Sequence, residues 1–298
     1  MKKVMLLASV CLMLTSKAMC APAVSAQSNN AEKYGGPMAM VYSNDKGQEA
    51  AAEQNKPLTH RVKLANNKDS RVIITMFNSG VQVVGHNSDE VIIESSDAYE
   101  EPPARAKGLK PLYNQSEDNT GFGLAVTKEN NTLRISKASR QDGNYVIRVP
   151  RNAAVVYEET NWTGDDVSVS DTNGEIELKL TSSNANLTNV SGPVIANTTA
   201  GDIVIKFSSL NQTKPSAISS VAGAVDVTLP ANTKTNLKLK SIQGEIYSDF
   251  DMNLAKNNTK SGLPKVAGGN TIEGTTNGGG VEMSLYTITG DMFIRKSK

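Results

Sequence analysis

The stretch from Gly164 to Phe207, GDDVSVSDTNGEIELKLTSSNANLTNVSGPVIANTTAGDIVIKF, constrains the fold more than any other part of this chain. Short segments with apolar residues at every second position each follow a glycine: Val167/Val169, Ile176/Leu178/Leu180, Val194 and Ile203/Ile205/Phe207. Period two marks strands that bury one face. Recurrence at near-constant spacing marks the strands as copies of one unit. The same Gly-led pattern returns at Gly223, Gly244, Gly280 and Gly290, in steps of about ten or about twenty residues, as expected for one short strand plus a turn, or two. Units of this kind that stack in register form a β-solenoid, each strand pairing in parallel with its equivalent one coil away. The inward positions are then Val225/Val227/Leu229, Leu237/Leu239, Ile246, Val281/Met283/Leu285 and Met292/Ile294, and each glycine is expected to supply the positive φ of a sharp corner.

The rest of the chain reads around this scaffold. Lys2 and Lys3, the apolar run Val4–Thr15 and the small residues Val24-Ser25-Ala26 have the form of a cleaved secretory signal over residues 1–26. Lys17, Ala18 and Met19 before Cys20 fit a lipoprotein signal poorly. Cys11 and Cys20 both lie in this leader, so the mature chain is expected to hold no disulfide and no thiolate chemistry. Three of the 31 basic residues lie there as well, which leaves 28 against 30 acids, a net charge of −2. A chain so nearly neutral, with no basic cluster, lacks the footprint of a nucleic-acid binder. No later run is apolar enough to span a bilayer.

Residues 27–58 are polar and read as a linker. Residues 59–298 read as one domain, with entering strands and a hairpin over 59–160 and Gly-punctuated coils over 161–298. RVIITMFN and GVQVVG flank the turn signal Asn78-Ser79-Gly80, and FGLAVTKENNTLRIS reads as a hairpin about Glu129-Asn130-Asn131. Two stretches break the pattern. Residues 96–121 carry prolines at a density that excludes a central strand, and 253–270 reads as a loop ejected from one coil. The fold class is therefore all-β, a parallel β-helix with an antiparallel strand and hairpin region at its N-terminal end.

FNSGVQVVGHNSDEVIIES, NYVIRVPRNAAVVYEE, NGEIEL with VSGPVIANTTAGDIVIKF, VAGAVDVTLPANTKTNLKLKSIQGEIYSDFDM and NGGGVEMSLYTITGDMFIRK recur in an order that resembles the exported bacterial "putative adhesin" family, built on a domain of unknown function with a β-helical fold. The resemblance covers roughly residues 70–298. It implies a right-handed parallel β-helix and export, and it brings no catalytic residues.

The residues with chemical potential are few. Asp165, Glu175, Asp202, Glu245 and Asp291 share one phase behind the corner glycines. If stacked at strand spacing they would form a cation ladder or a carboxylate pair for polysaccharide cleavage, or they are plain turn residues facing water. His60 and His86 lack metal-ligand spacing. Gly121-Phe122-Gly123 and Gly278-Gly279-Gly280 precede no helix and are not phosphate loops. Trp162, with Tyr157, Tyr247, Phe250 and Tyr286, supplies rings that stack on sugars or plug the core. Asn184, Asn186, Asn189 and Asn197 face outward, toward a glycan or as ladders between coils. The expectation is an exported, non-catalytic envelope protein in the periplasm or at the cell surface, with no metal, no cofactor and a glycan or protein partner. A β-helical carbohydrate-active enzyme and a structural or regulatory envelope component are the alternatives.

Overall fold

The structure is a computed structural model and describes residues 58–95, 97, 103–109, 112, 116–254 and 271–297. Residues 1–57, with the expected signal and nearly all of the linker, lie outside the described residues, as do much of 96–121 and all of 255–270.

In chain order the strands are β1 (Leu58–Lys63), β2 (Arg71–Met76), β3 (Ser79–His86), β4 (Glu90–Ser95), β5 (Leu124–Glu129), β6 (Thr132–Lys137), β7 (Gly143–Pro150), β8 (Ala154–Glu159), β9 (Val167–Ser170), β10 (Ile176–Lys179), β11 (Ala185–Val190), β12 (Val194–Ala200), β13 (Ile203–Phe207), β14 (Ser216–Ala222), β15 (Val225–Pro230), β16 (Thr235–Ser241), β17 (Ile246–Ser248), β18 (Asn253–Leu254), β19 (Thr271–Thr276), β20 (Val281–Thr287) and β21 (Met292–Ser297). Only one short 3₁₀ turn, Ala104–Ala106, interrupts them among the described residues. No helix there is long and apolar enough to cross a membrane.

Two sheets result. The ten-stranded sheet runs β1-β4-β7-β3-β9-β11-β13-β15-β21-β17, and the eleven-stranded sheet runs β18-β19-β16-β20-β14-β12-β10-β8-β2-β6-β5. Each coil contributes one strand to each sheet. From β8 to β15 the chain climbs coil by coil, and its strands pair only in parallel. Inward residues stack in columns such as Val155, Ile176 and Val194 on one sheet and Val169, Leu187, Ile205 and Val227 on the other, all buried. Burying one such side chain contributes roughly 1.5–3 kcal/mol, and column upon column makes one continuous core.

Three sequence expectations change. The turn at Asn78-Ser79-Gly80 is present, but β2 and β3 enter different sheets, so it is a corner and not a hairpin. Antiparallel pairing at the N-terminal end is confined to β1 with β4, β4 with β7, and β5 with β6, the last being the hairpin expected about Asn130. β2 and β3 themselves stack in parallel with their neighbours. Finally, the loop expected over 253–270 lies outside the described residues except for Asn253 and Leu254, and the chain does not resume beyond it with the next coil in order. β18 pairs antiparallel with β19, β19 pairs antiparallel with β16, and β20–β21 then lies between β14–β15 and β16–β17.

The corner glycines also act differently from the expectation. Of the eight aligned glycines only Gly201 and Gly223 have positive φ, both +148°. The left-handed corners belong instead to Asn78, Asp171 and Asn189. Most of the glycines are required by close approach. A Cβ on Gly192 would run into the carbonyl oxygen of Gly174, one on Gly290 into that of Gly223, and one on Gly244 into that of Gly290. The glycines mark where one coil's backbone rests on the next.

Candidate functional site

The five acids do not converge. Parallel register places Asp202, Asp291 and Glu245 in one column beside β13, β21 and β17, continued by Asp166 and Asn184 below. Each is a rung. Asn184 Nδ2 donates to Asp166 Oδ1 (2.9 Å), Asp202 N to Asn184 Oδ1 (2.9 Å), Ala224 N to Asp202 Oδ1 (2.7 Å) and Glu245 N to Asp291 Oδ1 (2.8 Å). Asp165 sits one place earlier, level with Ser183, Gly201 and Gly223. Glu175 belongs to the corner of the other sheet and pairs with Lys214 at 2.7 Å. The shared phase read from the sequence is thus a spacing from glycine, whereas the fold divides the set between two corners. Asp202 and Asp291 satisfy backbone N–H groups that the corners leave unpaired. Asn189 and Asn197 do similar work between coils, bonding Asp171 and Ser219. Among the described residues no cluster of three or more His, Cys, Asp or Glu side chains is placed to hold a metal ion.

Trp162 lies elsewhere, and it is 63% exposed. It stands between Asn161 and Thr163 in the segment joining β8 to β9. Both neighbours line a cleft of about 670 Å³ that also includes Thr75, Asn78, Ser136 and Arg140. The local architecture follows from the strands. Thr75 and Ser136 are register partners on β2 and β6 and face outward. Asn78 holds the corner with φ of 48°. Asn161 Nδ2 donates to Asn78 Oδ1 (2.8 Å) and to Thr163 Oγ1 (2.7 Å), and Thr163 Oγ1 bonds Asn78 Oδ1 as well. Thr160 N donates to Met76 O at 3.0 Å, and Ser182 Oγ donates to the Trp162 carbonyl at 3.0 Å. The segment bearing the indole is therefore tied to both neighbouring coils. The lining combines hydroxyls and amides with the Phe77 ring and two basic side chains, Lys137 and Arg140, so it offers donors and acceptors with a positive bias at one side.

Two buried charges stand behind this region, and the sequence reading singled out neither. Glu159 continues the inward phase of Val155 and Tyr157. Its carboxylate accepts from Thr181 N (2.6 Å), Ser182 N (3.1 Å) and Ser183 Oγ (2.9 Å), and it fills the space a Cβ on Gly164 would need. Lys137 continues the inward phase of Leu133 and Ile135. Its ammonium donates to Tyr145 Oη at 2.7 Å and lies 4.7 Å from that ring's centroid, and Tyr145 Oη donates to the Phe122 carbonyl at 3.1 Å. Burial pushes the Lys137 amine down to about 8, although Asp142, Asp97 and Asp118 pull the other way. The signal for both was available: a charged residue one step beyond an apolar alternation.

The Gly121-Phe122-Gly123 loop is a nest after all, and the chain fills it with its own carboxylate. Gly121 and Gly123 have φ of 82° and 85°. Asp118 accepts from Thr120 N (2.9 Å), Gly121 N (3.0 Å) and Gly123 N (2.9 Å). Burial raises the Asp118 pKa, but the bonds from Thr120, Gly123 and Gly121 outweigh it, and the carboxyl sits below its ordinary value. Of the histidines, His86 Nε2 lies 2.7 Å from the Glu90 carbonyl, and His60 is on β1.

Fold and site together define a class: an all-β stack of parallel coils with a polar cleft near one end. Residues 153–291 match the family Toastrack DUF4097, and over that span the resemblance read from the sequence holds. A crystal structure described as a putative cell adhesion protein from Clostridium sporogenes is similar over 81% of this chain and 100% of its own, at 11% identity and a TM-score of 0.41. One described as a putative adhesin from Bacteroides fragilis is similar over 81% of this chain and 97% of its own, at 14% identity and a TM-score of 0.38. No curated protein matches the sequence.

Proposed function

We propose that this chain is an exported, non-catalytic β-solenoid of the bacterial cell envelope that binds a saccharide in the cleft beside Trp162. The cleft carries the reading. Its walls carry hydroxyl and amide groups, and the residue between its lining Asn161 and Thr163 is an exposed tryptophan; together they supply groups to bond sugar hydroxyls and a ring to stack on a sugar face. The leader-like residues 1–26 support export and cleavage after Ala26. The backbone hydrogen bonds that occupy Asp202 and Asp291 support a binding role over polysaccharide cleavage, which needs two carboxylates across one bond. Right-handed winding is part of the same reading, since crossovers between parallel strands take that hand in nearly all proteins.

Trp162 is the sole tryptophan, so its emission reports on the segment that borders the cleft. Fractionation of producing cells is expected to place the mature chain in the periplasm or at the surface. Titration with a saccharide panel is expected to shift Trp162 emission, and Asn161→Ala is expected to weaken that response about tenfold, the loss of roughly one well-placed polar contact. A protein retained in the cytoplasm, or an indole that no saccharide perturbs, overturns the proposal.

A further inference from the structure

We propose a second saccharide subsite at the opposite end of the stack, a platform made by Tyr247 and Phe293 and flanked by Arg295, Asp226 and Asp249. It rests on the reading of the chain as an envelope binder and adds a place and a ligand class to it.

Among the described residues β17 is the last strand of the ten-stranded sheet and pairs with β21 alone. Tyr247 and Phe293 are register partners there and share the outer face. Their rings are nearly parallel, 10° apart with centroids at 5.4 Å, so they stack along the axis of the coils. Phe293 covers one face of Tyr247. The other points past the final strand, and Tyr247 remains 52% exposed. This is not a core plug. That role falls to Phe250, which is 7% exposed.

Polar groups surround the rings in a defined arrangement. The Arg295 guanidinium lies 5.1 Å from the Phe293 centroid, and its Nε donates to both carboxylate oxygens of Asp226 at 2.9 Å. Both contacts use Nε, which leaves the four N–H groups of the η nitrogens for another partner. Asp249 is held by Lys296 N at 2.7 Å and keeps further acceptor capacity. Tyr247, Ser248, Asp249, Phe293 and Arg295 line a groove of about 270 Å³.

The chemistry selects a ligand class. A pyranose presents C–H groups on its faces and hydroxyls on its rim, matching an aromatic face bordered by donors and acceptors. Asp226 and Asp249 more than offset the charge of Arg295 on this face, so the surface does not favour an anion such as a uronate or a phosphate. The fitting occupant is a neutral pyranose residue. Five coil steps separate β9, next to Trp162, from β17, about 24 Å at ~4.8 Å per strand, so a single ring occupies one subsite or the other.

The test uses the full mature chain with cellotetraose, maltotetraose, mannotetraose and chitotetraose as probes, followed by saturation-transfer NMR and by Trp162 emission. At least one probe is expected to show transfer to its ring C–H protons. Tyr247→Ala is expected to weaken that binding tenfold or more, Tyr247→Phe to preserve it, and Arg295→Ala to weaken it several-fold, with the thermal midpoint of each variant as a control on folding. A probe that shifts Trp162 emission but is indifferent to Tyr247→Ala and Arg295→Ala overturns this subsite and leaves the cleft standing. Binding that needs Tyr247 without moving Trp162 sustains the subsite and displaces the cleft. The absence of binding by either readout removes both.

Discussion

From β8 to β15 the chain lays each coil on the one before it, in steps of 18 to 22 residues. At the two ends it does not. The coil β2–β3, made early, lies between β6–β7 and β8–β9, and the coil β20–β21, made last, lies between β14–β15 and β16–β17. Middle and ends use the same unit, the same parallel register and the same corner contacts, so the unit itself does not specify where a coil belongs. The ends differ in what lies outside them. A plain stack would finish in open parallel edges ready to pair with another chain. Here antiparallel strands are added beyond the last coils: β4 and β1 on one sheet and β5 on the other at the N-terminal end, β19 and β18 at the C-terminal end. Winding the terminal coil inward moves it to a position with neighbours on both sides and leaves short strands at the edges, antiparallel at β1, β5 and β18 and the three-residue parallel strand β17 at the fourth.

The inverted coil order is the claim most easily broken. Val225 pairs with Met292, and Met292 with Ile246, so the residues just before them, Ala224, Asp291 and Glu245, follow one another in that order. Adjacent strands are ~4.8 Å apart, within the Cα window of a disulfide, whereas strands two places apart are about 9.6 Å apart and outside it. In a chain beginning after Ala26, which has no cysteine, the pair Ala224→Cys/Asp291→Cys is expected to oxidise nearly completely and Ala224→Cys/Glu245→Cys hardly at all. The reverse yield, measured by electrophoresis without reductant, would show that the coils follow sequence order at this end as they do in the middle.

Backbone contact between coils sharpens the comparison. Gly192→Ala drives a methyl into the Gly174 carbonyl in the middle of the stack, and neither backbone can withdraw without breaking its ladder. A loss above ~3 kcal/mol is expected from urea denaturation. Gly278→Ala, in the loop that joins β19 to β20, meets nothing within 4 Å and is penalised only by its φ of +88°, for about 1 kcal/mol. Equal losses at the two positions would mean that corner contact is not what selects glycine.

This division explains what the sequence revealed. The alternation Ile203/Ile205/Phe207 showed strand, inward face and stacking, because those depend on a period that each residue carries locally. Coil order depends on which equivalent edges meet, and Gly223, Gly244 and Gly290 look alike in this respect, so the insertion of β20–β21 was not legible. The acids illustrate the same limit. Distance from glycine is local and was read correctly, but Glu175 and Asp202 enter different sheets. Trp162 stood out because it is unique, yet its cleft depends on Ser136 and Asn161 meeting across 25 positions of sequence. Lys137 and Glu159 are legible in principle, since each stands one step beyond an apolar alternation, Leu133/Ile135 and Val155/Tyr157.

Lys137 separates the end from the middle electrostatically. Inward positions of the middle coils hold no buried amine, whereas the end holds one whose folded pKa is pushed down to about 8 from the ordinary lysine value of 10.5. Below pH 8 the fold carries the whole cost of the buried charge. Between about 8 and 10.5 the unfolded chain binds more protons than the folded one, so stability rises with pH through that window, and above it the contribution is constant. Lys137→Met is expected to stabilise the protein by about 1–2 kcal/mol at pH 7, with the advantage shrinking toward pH 10.5, as read from denaturant midpoints across pH. A constant difference would place the effect in packing instead of charge.

The smallest effect lies at the boundary between the two regions, on β8. Tyr157 is fully buried in the column above Ile74 and below Leu178, and its hydroxyl finds no hydrogen-bond partner among the described residues. Burial, with Glu159 and Asp165 adding to it, pushes the phenol well above the ordinary tyrosine range, so the group stays neutral at any working pH. An aromatic ring suits this column, but the oxygen is a polar atom taken from water without return. Tyr157→Phe keeps the ring and removes that cost, for an expected gain of about 1 kcal/mol in urea denaturation, unchanged between pH 6 and 9. A loss of similar size would show that the hydroxyl is satisfied within the core and that the change from polar end to apolar middle begins one coil later, at β10.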